Sequence, residues 1–336
     1  MSTVALPAPR RRPPGWIRVL RPHYIPLTLG PGMVGMVIAA DDPTTASIAI
    51  GLAVLVLAYG LGQVLNDYFD RHADRINAPD RPLVSGEVDA NRALLVSSAV
   101  TGALWVAALI VAPPMLVWMG VAVVGHLLYT VTKRVPLLGN IVNGADVAVI
   151  TMVGAAAAAP ERSAFDLPTA VWVDFALFTL VLTGFGMVTY FKDFIGDTAV
   201  GYRTFVVAMG PQRARWLPPL LPIAAVAIAV VLGATDPGSL GADSAGPAFW
   251  VLLALSAVTF ALGSRLLLAD PDANAFSSIG MYTRGCVAFA FAVGAAHDPV
   301  LFVLTFVPVA ALLELGLADA LRDNRRAAPP TTAGGD

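Results

Sequence analysis

Charge is scarce in this sequence. Asp, Glu, Lys and Arg make up 13% of 336 residues, against 57% apolar residues. Soluble domains carry about a quarter charged residues, so a water-soluble globule is excluded and lipid is the expected solvent. The single cysteine, Cys286, excludes an intramolecular disulfide. Four scattered histidines leave no zinc-ligand spacing. No Walker-type phosphate loop, dinucleotide glycine fingerprint or internal repeat is present. The 21 Lys and Arg nearly cancel the 23 Asp and Glu and form no basic stripe, so no nucleic-acid partner is expected.

What the chain has instead is long apolar runs. A membrane-crossing helix needs about 20 mostly apolar residues. Suitable runs lie near 17–40, 45–66, 92–112, 114–132, 137–159, 168–190, 213–234, 247–269, 278–296 and 299–320. The expectation is an all-α, polytopic transmembrane bundle of nine or ten helices over 16–322. A cytoplasmic, disordered tail is expected over 1–15, where Arg10, Arg11 and Arg12 stand among prolines, and a second disordered tail over 323–336. If all ten runs cross and the N-terminus is cytoplasmic, Arg162 is the single basic residue of 21 left outside. Charge therefore favours ten crossings of the cell membrane, with the acidic loops on the cytoplasmic side.

Two of those loops are rich in acid. In the first, Asn66, Asp70 and Asp74 recur every four residues, with Asp67 beside Asn66. On a helix this spacing stacks them on one face. Carboxylates so close repel one another unless a divalent cation intervenes, and oxygen-only ligands suit Mg²⁺. In the second, Asp193 and Asp197 repeat the spacing beside Lys192 and Arg203. Acids that hold metal, interleaved with bases that hold phosphate oxygens, describe a metal–diphosphate site. The plainer alternative is a pair of solvated loops whose acids offset topological arginines; two clusters at matching depth weigh against it.

The residues also carry a family resemblance. Asn66-Asp67-Tyr68-Phe69-Asp70 to Asp74, followed by Arg81-Pro82-Leu83-Val84-Ser85-Gly86, resembles the first aspartate-rich motif of the UbiA superfamily of membrane prenyltransferases. Lys192 to Thr204 is similar to their second motif. Arg21-Pro22-His23 resembles the start of aromatic-acceptor members, and Tyr129 to Lys133 resembles the tyrosine–lysine loop after their fourth helix. The resemblance implies a helical bundle whose central cavity opens to the cytoplasmic side. It further implies one Mg²⁺ on Asn66, Asp67, Asp70 and Asp74, a second on Asp193 and Asp197, and a prenyl diphosphate bridging them. Asp67, Asp70, Asp193 and Asp197 would be catalytic. Arg71, Arg81, Lys133, Lys192 and Arg203 would contact diphosphate, with Arg21 and Tyr129 as further substrate contacts.

An allylic carbocation needs a dry, aromatic pocket, for which Tyr68, Phe69, Tyr129, Tyr190 and Phe191 are candidates, the interfacial aromatic belt being the alternative. Deeper polar residues are costly in lipid. Asn140, Asn143 and Asp146 are therefore read as acceptor contacts or as interhelical hydrogen-bond glue, with a weaker claim for His126. The expected activity is Mg²⁺-dependent prenyl transfer to a small-molecule acceptor, foremost a phenolic or quinone-precursor ring. The alternatives are transfer to a glycerol phosphate lipid, cyclisation of the prenyl chain on itself, and a non-enzymatic transporter or binder.

Overall fold

The computed structural model describes residues 13–327, with side chains to residue 317. Of the tails expected over 1–15 and 323–336, residues 1–12 and 328–336 lie outside the described residues. No strand occurs among the described residues.

Each of the ten apolar runs is helical. The first is broken by its prolines into α1 (Gly15–Leu20), a 3-10 turn (Pro22–Tyr24) and α2 (Pro26–Ala39). Pro22 and Pro26 sit at helix starts, where the missing N–H costs nothing. The second run is α3 (Thr45–Phe69), whose start is capped by Thr44 accepting from the Ser47 N–H at 3.0 Å. Two short helices follow, α4 (Arg71–Asn77) and α5 (Pro82–Ser85). Next come α6 (Ala90–Val111) and α7 (Met115–Thr132), then α8 (Leu138–Ala148), which continues with a slight break into α9 (Ile150–Ala158). The long α10 (Thr169–Lys192) leads to the short α11 (Phe194–Ala199), α12 (Phe205–Met209) and α13 (Pro211–Ala214). The last four are α14 (Leu220–Thr235), α15 (Pro247–Ala269), α16 (Pro271–His297) and α17 (Pro299–Ala327).

Among the described residues, eight helices are long and apolar enough to cross a membrane, α8 and α9 counting as one. The chain is a multi-pass membrane protein. Apolar α2 and α14 are shorter, at 14 and 16 residues. The last apolar run, expected over 299–320, is a helix that runs on to Ala327, so 323–327, expected as tail, are helical: nothing between Asp319 and Ala327 is a helix breaker.

Helices α10 and α16 form the enclosed centre, whereas α6 and α7 keep most of their surface outward. Phe178 of α10 packs edge-on against Phe289 of α16, both fully buried, and Phe249, Phe291 and Phe302 complete that core. Helices α2 and α9 meet backbone to backbone. A Cβ on Gly35 would lie 2.0 Å from the Thr151 carbonyl, and one on Gly154 would lie 2.0 Å from the Gly32 carbonyl. Small residues at such a seam permit the close approach that substitutes for hydrophobic driving force in lipid. This packing brings the C-terminal ends of α3 and α10, and the short helices that follow them, to one end of the bundle.

Candidate active site

Both aspartate-rich segments are built alike. Helix α3 ends at Phe69, Asp70 forms the junction, and α4 resumes with the Asp74 N–H donating to the Asp70 carbonyl at 2.9 Å. Helix α10 ends at Lys192, Asp193 forms the junction, and α11 resumes with the Asp197 N–H donating to the Asp193 carbonyl at 2.9 Å. The expectation of one uninterrupted helical face for Asn66, Asp70 and Asp74 is corrected by this junction, which redirects the chain at Asp70. The two segments touch directly: the Gly196 N–H donates to Asn77 Oδ1 at 2.8 Å. A Cβ at Gly196 would lie 2.4 Å from that oxygen, so glycine is what lets the segments close.

The charges are arranged in pairs. Asp67 accepts from Arg21 at 2.5 Å and from Arg81 at 3.2 Å; Arg81 also bonds Asp74, and Lys133 bonds Asp70. Lys192 grips both oxygens of Asp193 at 2.6 and 2.7 Å. Arg21 has a left-handed backbone with φ of 47°, an uncommon conformation for a residue with a side chain. Its guanidinium is held by Asp67 and by Gln63 at 2.6 Å. Asp67, Asp74, Asp197 and Lys133 are all buried. Burial pushes the Asp74 carboxyl up to about 6 against the pull of Arg81. Asp197 is pushed up to about 7 by burial first and by the neighbouring Asp193 charge second.

These groups form the mouth of one cavity of about 740 Å³. Its walls carry Asn66, Asp67, Asp70, Asp74, Asp193 and Asp197 together with Arg21, Arg81, Lys133, Lys192, Tyr129, Asn143 and Asp146. Below the mouth lie Tyr24, Tyr59, Tyr190 and Phe185. The Tyr24 ring stands 5.2 Å from Tyr59 and 6.0 Å from Phe185, and the Tyr129 and Tyr190 hydroxyls are 3.3 Å apart. The cavity ends at a layer containing Val54, Trp105, Met119, Val153 and Leu182. Asp67 and Val54 are 13 positions apart on α3, which makes the cavity about 20 Å deep at 1.5 Å per residue.

Several expected contacts fall elsewhere. Arg71 lies outside the cavity, stacked 4.1 Å over the Tyr68 ring with its Nε donating to the Tyr68 carbonyl. Arg203 is exposed on the loop before α12, also outside the cavity. Their expected diphosphate contacts are withdrawn, because the turn at Asp70 and the loop before Thr204 carry them away from the mouth. Tyr68, Phe69 and Phe191 do not line the cavity either; Phe69 is half exposed and Phe191 packs on Phe205. Asn140 is buried away from the cavity, and Glu314 pairs with Arg284 at 2.5 and 2.6 Å. Nothing local in the sequence distinguishes Tyr24, Tyr59 and Gln63; only their arrival at one cavity does, while Asn77 lies within the run that resembles the first motif.

An Mg²⁺ site can be tested on the donors present. The donor set at the mouth is oxygen only, and Asn66 Oδ1 is buried with no hydrogen-bond partner. Among the described residues no three acidic, His or Cys side chains converge into a closed ligand set. The single-ion site expected on Asn66, Asp67, Asp70 and Asp74 is therefore not preformed: Asp67 and Asp74 share Arg81, Asp67 also holds Arg21, and Asp70 holds Lys133. The residues still fit the metal: Mg²⁺ is typically held through one or two carboxylates, with substrate phosphates and water completing six positions.

A model of the UbiA prenyltransferase family matches residues 28–283. The chain belongs to that family. Digeranylgeranylglyceryl phosphate synthase of Natronomonas pharaonis is 32% identical over 213 residues, spanning 60% of this chain and 72% of the relative. A UbiA homologue from Aeropyrum pernix K1, solved in its apo form, superposes with a TM-score of 0.67 at 21% identity, covering 82% of this chain and 97% of that one. A UbiA homologue from Archaeoglobus fulgidus, solved with GPP and Mg²⁺, superposes with a TM-score of 0.52 at 20% identity, over 84% and 99% of the two chains. The structural likenesses establish the UbiA fold. Family membership makes the chain a membrane prenyltransferase.

Proposed function

We propose that this UbiA prenyltransferase transfers a prenyl group from a prenyl diphosphate to the hydroxyl of a glycerol phosphate lipid, with Mg²⁺ as cofactor. The observation that carries the reading is the meeting of both aspartate junctions and four cationic side chains at the mouth of one deep, mostly apolar cavity. Asp67, Asp70, Asp74 and Asn66 on one side, and Asp193 and Asp197 on the other, would hold the metal. Bound there, Mg²⁺ would supply charge neutralisation for the diphosphate as the C–O bond breaks. Arg21, Arg81, Lys133 and Lys192 stand ready to exchange a carboxylate for a diphosphate oxygen. Tyr24, Tyr59, Tyr129, Tyr190 and Phe185 would exclude water and present ring faces to the allylic cation.

The acceptor reading departs from the aromatic ring favoured by Arg21-Pro22-His23. That signal weakens because His23 packs beside Gly316 of α17 and does not line the cavity. The name carried by the archaeal relatives supports the glycerol phosphate alternative. The acid-lined end faces the cytoplasm on the positive-inside rule. Arg162 pairs with Asp41 in the loops at the opposite ends of α2 and α10.

The test is diphosphate release by the protein in lipid nanodiscs with Mg²⁺ and geranylgeranyl diphosphate. Geranylgeranylglyceryl phosphate or an aromatic acid serves as acceptor, with Asp67→Ala and Asp193→Ala as controls. Release that needs the glycerol phosphate lipid and vanishes in both variants is the expected result. Dependence on the aromatic acid would restore the ring acceptor, and acceptor-free formation of a cyclic product would replace transfer by cyclisation.

A further inference from the structure

One ionisable pair on the cavity wall belongs to neither aspartate motif. His126 of α7 and Asp146 of α8 face each other with Nδ1 and Oδ2 3.1 Å apart. The other ring nitrogen, Nε2, lies 3.1 Å from the Gly62 carbonyl on α3. A carbonyl can only accept, so Nε2 carries the hydrogen and Nδ1 is the nitrogen left to share a proton with Asp146. The side chains are 16% and 7% exposed, yet both line the cavity.

The pair is built into close backbone contacts. A Cβ on Gly125 would lie 2.7 Å from Asp146 Oδ1, and one on Gly62 would lie 3.3 Å from His126 Cε1. Asp146 Oδ1 itself is buried without a hydrogen-bond partner. Ionisable groups between membrane helices are costly and tend to mark chemistry. A pair serving only to hold helices together has no use for a carboxylate oxygen directed away from its partner. Asn143, one turn before Asp146 on the same helix, and Tyr129, one turn after His126, extend the polar strip along the cavity toward Lys133.

We infer that Asp146 is the proton acceptor for the acceptor substrate's hydroxyl, and that His126 is the residue that positions it. This rests on the transfer reading above and deepens it: the nucleophile is an alcohol oxygen lying against α7 and α8, below the diphosphate. The alcohol oxygen bonds to C1 of the prenyl group as the bond from C1 to the diphosphate oxygen breaks, its electron pair leaving with diphosphate. The hydroxyl proton passes to the Asp146 carboxylate. Nδ1 of His126 keeps the carboxylate oriented, and the Gly62 carbonyl keeps the ring oriented.

The experiment uses the full chain in nanodiscs with Mg²⁺, geranylgeranyl diphosphate and geranylgeranylglyceryl phosphate. It compares wild type with Asp146→Asn, Asp146→Glu and His126→Gln. Binding of geranylgeranyl diphosphate is measured separately from kcat and from KM for the acceptor. The expected result is a kcat lowered on the order of 100-fold in Asp146→Asn, as for loss of a general base, with donor affinity within twofold of wild type. Asp146→Glu recovers part of kcat, and His126→Gln lowers kcat less than Asp146→Asn does. An Asp146→Asn protein with wild-type kcat would overturn the assignment alone. Donor binding lost together with transfer in both Asp146 variants would reduce the pair to a structural role. Wild type that binds donor but transfers to no alcohol would overturn the transfer reading itself.

Discussion

The two aspartate motifs share a spacing and a local fold but differ in how their charges are answered. In the first, every acid has a cation from outside its own helix: Arg21 and Lys133 come from far along the chain to Asp67 and Asp70, and Arg81, from just beyond α4, bonds Asp67 and Asp74. In the second, Asp193 is answered only by its neighbour Lys192, and Asp197 accepts no side-chain hydrogen bond among the described residues, although it is 7% exposed. The first motif is therefore a structural clamp as well as, on the function proposed above, a ligand source. The second is held by its backbone and by Asn77, with Lys192 covering Asp193 and Asp197 left without a side-chain hydrogen bond among the described residues. Equal spacing in a sequence does not imply equal electrostatics in the fold, because the partners come from elsewhere.

The sharpest way to break this contrast is to remove one acid from each side. Asp67→Ala and Asp197→Asn should each lower Mg²⁺-dependent diphosphate release by at least about 100-fold, the scale of losing one electrostatic stabiliser. Their stabilities should diverge. Asp67→Ala leaves Arg21 with Gln63 alone and Arg81 with Asp74 alone and should cost about 3 kcal/mol, as when one partner of a buried pair is removed. Asp197→Asn relieves a buried charge and should leave metal-free stability equal or higher. Thermal unfolding in detergent with and without Mg²⁺ checks both.

A second test is pH. Asp74 near 6 and Asp197 near 7 both lie above the ordinary 3.8 of an aspartic acid, so the fold favours their protonated forms. Their contribution to metal-free stability is fully present below about pH 4 and lost as pH rises through 7. Mg²⁺ affinity should rise over the same interval, with protons released on binding. Calorimetry in buffers of different ionisation heat measures that release, and chelation should abolish turnover reversibly.

Smaller effects come from the contacts that join the motifs and close the cavity. Asn77→Ala removes the acceptor for the Gly196 N–H and should cost about 1 kcal/mol, with a modest fall in turnover. Trp105→Ala deepens the floor. It should leave the rate on geranylgeranyl diphosphate nearly unchanged while improving the relative rate on a longer prenyl diphosphate, read in a competition assay.

Much of this was legible from residue patterns. The apolar runs marked every long helix, and the two acid spacings marked the candidate site, because lipid forbids long polar stretches and punishes unpaired charge. Asp67, Asp70, Asp74, Asp193, Asp197, Arg81, Lys133 and Lys192 were chosen from the sequence and meet at one mouth. Arg71 and Arg203, for which an interfacial anchor was an equal reading, lie outside it: Arg71 stacks on Tyr68 and Arg203 is exposed on the loop before Thr204. Tyr24 and Tyr59 carried no signal, since a tyrosine within an apolar run reads the same whether it meets lipid, protein or substrate.

By itself, then, the sequence determined a membrane bundle, its helices and the oxygen-rich chemistry at one end, since those follow from local composition and spacing. Only the tertiary structure decided which cation answers which acid, how deep the cavity runs, and that His126 and Asp146 meet on its wall. Those depend on distances between segments far apart in the chain, which packing sets and local spacing does not.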